Sequence, residues 1–201
     1  MRLLTYTLTV LLLVSALLSG CAGSKTSATR YYLIDPVDYA EALNTRTLLR
    51  IEVIDLHIPQ YLERFHIAYR ASENRLAFSE SHQWGENLRK NLLRTLAGNL
   101  SELLATNDVG TPLNRSASSP DYRLQVYIEK FERDVDNQVK LSARWQLSIA
   151  GENEPVGVFS TDLVDSTVLV STDYDAMVAG MRGLYGQLCQ QIAETIIAQE
   201  Q

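Results

Sequence analysis

The sequence predicts an α+β domain, a largely antiparallel sheet with two long amphipathic helices packed on one face. Three observations carry this reading. Val139, Leu141, Ala143, Trp145, Leu147 and Ile149 alternate with Lys140, Ser142, Arg144, Gln146 and Ser148, the period of a strand with one buried face. Trp84, Leu88, Leu92, Leu96 and Leu100 recur every four residues, which draws an apolar stripe along a helix. Tyr174, Val178, Met181, Tyr185, Leu188, Ile192 and Ile196 draw a second one.

Before the domain comes an address. Arg2 is followed by a mostly apolar run over residues 3–18 and then by Leu18-Ser19-Gly20-Cys21. A positive charge, an apolar core of that length and small residues before a cysteine read as a lipoprotein signal peptide over residues 1–20. Small side chains fit a narrow peptidase pocket, and the freed Cys21 can carry thioether-linked diacylglycerol. A transmembrane helix is the competing reading, but the run is short for a ~20-residue span and no basic cluster follows it. Residues 21–30 then form a lipidated cysteine and a small, polar tether that can reach at most ~30 Å. Residues 31–201 form a single domain.

Removing the leader takes Arg2 with it and leaves 17 basic against 24 acidic side chains, a net of −7. That balance argues against nucleic-acid binding, which needs a basic stripe, and against a polybasic clamp on anionic lipid. With Cys21 acylated, Cys189 has no partner, so no disulfide framework forms. Ala22, rather than Asp, after the acylated cysteine suggests the outer membrane.

Within the domain, strands are expected at 31–34, 47–56, 65–70 and 75–79, the last two as a hairpin across Ser72-Glu73-Asn74. The first helix is expected from about Ser81 to Ala105. A loop over 106–120 follows, then strands at 122–128, 139–149 and 156–164, with 168–170 as an extension. The second helix is expected over 173–198, with Asp173 at its start and Cys189 as a small buried hydrophobe.

Signals for chemistry are sparse. There is no Gly-x-Ser-x-Gly, His-Glu-x-x-His, Cys-x-x-Cys or phosphate loop. His57, His66 and His82 are far apart in sequence, with His66 on a polar strand face and His82 at a helix start. Asp134, Asp136, Asp162, Asp165, Asp173 and Asp175 lack the Gly-pivoted spacing of a calcium loop. The reading is of a non-enzyme with no catalytic, cofactor-binding or metal residues. Gly180, Gly183 and Gly186 stand out, because each costs ~1 kcal/mol relative to Ala inside a helix. They lie away from the Tyr174–Ile196 stripe, which fits either a tolerated solvent face or helix break, or a smooth second face where a partner or a second copy can approach.

The order of motifs resembles a known family. Tyr31-Tyr32-Leu33 follows the tether, and the strand through Leu49 and Val53 runs into Ile58-Pro59-Gln60-Tyr61-Leu62-Glu63-Arg64. Ile67, Arg70 and Asn74-Arg75-Leu76 come next, and Trp84-Gly85-Glu86-Asn87-Leu88 opens the first helix. This is similar to the ABC-type transport auxiliary lipoprotein family, whose members show Pro-x-Tyr-Leu-Asp-Arg and Trp-Ala-Glu-Pro-Leu segments. Here Glu63 replaces Asp, Gly85 replaces Ala and Asn87 replaces Pro. The resemblance implies a non-catalytic, outer-membrane-anchored subunit of an intermembrane lipid transport system. Its domain would face the periplasm and dock an MCE-domain protein that spans it, with a homo-oligomer as a further implication. A stand-alone lipid carrier is the alternative and would need a large apolar cavity. An envelope hydrolase would need a nucleophile and base that the sequence does not show.

Overall fold

The computed structural model describes residues 28–43, 48–152 and 154–200. The expected signal peptide, Cys21 and most of the tether lie outside them. The elements in chain order are β1 (Arg30–Tyr32), β2 (Ile51–His57), a 3-10 turn (Gln60–Glu63), β3 (His66–Ser72), β4 (Arg75–Trp84), α1 (Leu88–Leu103), β5 (Val109–Gly110), β6 (Tyr122–Arg133), β7 (Val139–Ile149), β8 (Gly157–Val164) and α2 (Tyr174–Ile197).

β6 organises the sheet. Along one edge it pairs antiparallel with β7, and β7 pairs antiparallel with β8. Its other edge is shared: β2 runs parallel to the first half, from Ile51 opposite Tyr122 to His57 opposite Tyr127. β3 takes over further along, with Tyr69 opposite Arg133. Pro59 and the 3-10 turn step the chain from one to the other. β3 and β4 form the expected hairpin, β1 lies parallel on β4, and β5 lies parallel on β2. The sheet is therefore mixed rather than wholly antiparallel, although its longest ladders are antiparallel.

β6 is longer than its alternation predicts because a bulge follows Ile128. The extra residue, Glu129, breaks the period, and Phe131 returns to the core after it. The first helix starts later than expected. Residues 81–84 belong to β4, Trp84 is buried from the strand, and Asn87 caps α1 by accepting the Lys90 N–H at 3.1 Å. His82 is accordingly a strand residue, not a helix start. Residues 168–170 add no strand. α2 starts as expected, with the Asp173 carboxylate accepting the Ala176 N–H at 2.9 Å.

The core fills the space between sheet and helices. Leu124, Val126, Phe131, Leu141 and Leu147 of the sheet meet Leu92, Leu96 and Leu100 of α1 and Tyr185, Leu188 and Ile192 of α2. Tyr185 is fully buried, and its hydroxyl donates to Leu92 O at 2.9 Å, which ties the helices together.

Candidate anchoring and docking surfaces

The N-terminal segment binds the helices through its backbone. After β1, residues 33–43 run over the junction of α1 and α2. Asn91 accepts the Ile34 N–H at 2.8 Å and donates to Ile34 O at 3.0 Å, and Thr95 donates to the same oxygen at 2.5 Å. Asn99 accepts the Val37 N–H at 3.0 Å, and Glu102 accepts the Tyr39 N–H at 3.0 Å. Positions 91, 95, 99 and 102 share one face of α1. From α2, Arg182 donates Nε to Asp35 O and Pro36 O, and Gly186 O accepts the Tyr39 hydroxyl at 2.9 Å. A chain tethered at its N-terminus would thus transmit its attachment to both helices.

This strap also accounts for two helix glycines, Gly186 of α2 and Gly98 of α1. A Cβ on Gly186 would meet Val37 Cγ2 at 2.8 Å, and one on Gly98 would meet Pro36 Cγ at 2.9 Å. A Cβ on Gly180 would meet Asp165 Oδ2 at 2.8 Å, whereas Gly183 faces open space. The three α2 glycines therefore do not form one open face: Gly186 is covered by the strap and Gly180 by the connection from β8. Gly183 opens onto a surface groove of about 530 Å³ between that connection and α2, lined also by Ala176, Ala179 and Gln187. Beneath the strap, Asn99 Nδ2 lies 3.3 Å from Cys189 Sγ. Burial pushes the Cys189 thiol up to about 12, so it stays protonated and unreactive.

The motif residues pack. Leu62 is buried, and Arg64 lies over the Phe78 ring, 4.6 Å from its centroid. Tyr61 sits beside Glu132, and burial together with that carboxylate raises its hydroxyl pKa. Glu132 is only 2% exposed and is held by Arg70 at 2.6 Å. Sequence reading missed this pair, because nothing in the alternation of β6 marks a buried acid. Arg133, next along, is also buried; it stacks over Tyr69 and donates to Ser171 O.

The histidines remain separate. His66 bonds Gln83 at 3.1 Å on the surface, and His57 pairs with Asp55 at 3.0 Å while stacking on Tyr127. Ser79 Oγ lies 2.9 Å from His82 Nδ1, but the same oxygen accepts the His82 N–H at 3.0 Å. The imidazole stacks on Tyr174 with centroids 4.0 Å apart, so this pair ties off a bulge in β4. Among the described residues no three His, Cys, Asp or Glu side chains converge as a metal site.

One end of the molecule exposes three valines among polar residues. The β6–β7 turn places Val135 outward, 46% exposed, with Asn137 at φ 59°. The connection from β8 to α2 runs beside it, as Asn137 O accepts the Leu169 N–H at 2.9 Å. Leu169 points inward, and Val168 and Val170 on either side are each 69% exposed. Around them, Asp134 is paired with Lys140 at 2.6 Å, and this pair, against the cost of burial, keeps its carboxyl below the ordinary range.

A sequence profile of the ABC-type transport auxiliary lipoprotein component matches residues 31–193, and the chain belongs to that family. It is 26% identical over 183 residues to the intermembrane transport lipoprotein PqiC of Escherichia coli (strain K12), covering 89% of this chain and 91% of that one. The PqiC of Shigella flexneri matches to the same extent. Among solved structures, a protein from Xanthomonas campestris superposes with a TM-score of 0.68 at 13% identity, over 82% of this chain and 93% of that one. An uncharacterized protein superposes with a TM-score of 0.64 at 22% identity, over 85% of this chain and 99% of its own. These two show the fold alone. Among the described residues no helix is long and apolar enough to cross a membrane.

Proposed function

We propose that this chain is a non-catalytic lipoprotein subunit of an intermembrane lipid transport system, anchored in the outer membrane through acylated Cys21 and docking an MCE-type partner that spans the periplasm. The observation that carries this reading is the match to a transport lipoprotein family over most of the domain, preceded by Leu-Ser-Gly-Cys at the N-terminus. The lipid holds the chain at its membrane, because several acyl chains at ~0.8 kcal/mol per buried CH2 make release negligible. The strap of residues 33–43 links that anchor to the helices. Gly183, the open member of the α2 glycines, sits where a partner or a second copy could approach closely.

The carrier alternative would need a large apolar cavity between sheet and helices. That space is occupied by Phe131, Tyr185, Leu92 and Leu96, all essentially unexposed, which favours an assembly subunit. The test is a mild-detergent pull-down from native membranes with wild type and Cys21→Ala side by side. A periplasm-spanning MCE protein should co-purify with the wild type, and Cys21→Ala should fail to mature. Phospholipid without a protein partner would favour the carrier. Gly183→Leu should weaken assembly while leaving the fold intact; an unchanged mass from an oligomeric parent would remove Gly183 from the interface.

A further inference from the structure

We infer that the valine-tipped end of the domain, Val135 with Val168 and Val170, rests on the lipid surface to which the chain is anchored. The inference rests on the Cys21 reading and adds the orientation of the domain. The topology sets that orientation. β3 and β6 run parallel toward this end, where the β3–β4 and β6–β7 turns lie. β4 leaves it, and β1 is parallel to β4. β1 therefore runs away from the valine end, and Arg30 is its residue nearest to that end. Independently, Arg30 Nη1 lies 3.7 Å from Asp175 in the first turn of α2, only a few residues after Val170. Eight residues lie between Cys21 and Arg30, so an acylated Cys21 holds Arg30 within ~30 Å of its membrane.

At that distance the tether keeps the tip at a high effective concentration over the lipid, so a weak apolar contact suffices. Val168 and Val170 are presented rather than spread at random, because Leu169 between them is buried and its N–H is fixed to Asn137 O. The surrounding charge selects the lipid. Asp134 is paired with Lys140 and Asp175 with Arg30, and among the described residues Asp136, Asp165 and Asp173 near the tip have no cation within salt-bridge distance. An anionic bilayer would repel them at low salt, and a zwitterionic one would not.

The acylated full-length chain, reconstituted in phosphatidylethanolamine–phosphatidylcholine vesicles, allows a direct test. Cys21 is blocked by lipid and Cys189 is fully buried, so a spin label can be placed on Val168→Cys, Val170→Cys or, on the exposed face of β8, Ser160→Cys. Labels at 168 and 170 should collide more with oxygen than with an aqueous nickel chelate, and the label at 160 should do the reverse. Replacing part of the zwitterionic lipid with phosphatidylglycerol at low salt should shift 168 and 170 toward the aqueous reading. If the protein floats with vesicles but position 168 reads like 160, the orientation is wrong and the anchor stands. If it does not float, the anchor reading fails and takes the orientation with it. Dipolar broadening between labels at 168, relieved by unlabelled protein, would assign the tip to a second copy and overturn the inference.

Discussion

Both helices carry an apolar stripe, yet they meet the rest of the chain by different chemistry. α2 turns Met181, Tyr185, Leu188 and Ile192 onto the sheet and keeps Gly180 and Gly186 small so that loops can cross it. α1 buries its leucines in the same core but carries Asn91, Thr95 and Asn99, all essentially unexposed, along another face. Those three side chains satisfy the backbone of a segment with no regular structure of its own. The contrast separates two ways of covering a helix. A sheet is recognised by apolar area, while an irregular strap is recognised by hydrogen bonds to its peptide groups, since buried N–H and C=O groups must find partners.

The sharpest way to break the comparison is at the centre of α2. Tyr185→Ala should cost ~3–5 kcal/mol, because a fully buried ring is replaced by a cavity, and it should lower the denaturant midpoint of the whole domain. On α1, Asn91→Leu should cost less, ~1–3 kcal/mol, since it leaves the Ile34 N–H buried without its acceptor. Its signature should be local, with faster amide exchange at Ile34 and Val37 and slow exchange retained in β6 and β7. Uniform loss of protection would mean that the strap and the core are one cooperative unit. The two α2 glycines should differ, with Gly183 giving the smallest effect of the series. Gly186→Ala should destabilise by ~1–3 kcal/mol through overpacking against Val37, and Val37→Ala should rescue it. Gly183→Ala meets nothing within 4 Å and should stabilise by ~0.5–1 kcal/mol through helix propensity. Equal effects at the two glycines would show that the strap does not close over Gly186 in solution.

How much of this was legible depended on which atoms carry the contact. β7, the β3–β4 hairpin and both helices declared themselves through side-chain period. The start of α1 misled because Trp84 falls four residues before Leu88. Strand end and helix continue one apolar spacing, and only Gly85-Glu86-Asn87 breaks it. The extension of β6 past Ile128 was hidden by the bulge at Glu129, which shifts the alternation by one. The strap left no pattern because its backbone, not its side chains, is recognised. Asn91, Thr95 and Asn99 were visible at helical spacing, however, and a buried polar stripe is the signal that could have found it.

The sequence by itself determined the α+β class, the two helical stripes and the family, since each is written in side-chain type and spacing. Tertiary structure alone decided that β2 and β3 share one edge of β6 in parallel, that the strap closes over Gly98 and Gly186, and that Arg30 at the start of β1 meets Asp175 at the start of α2. Strand pairing is made by peptide groups that are nearly the same for every residue, so the choice of edge and direction appears only when the whole chain competes for the same core.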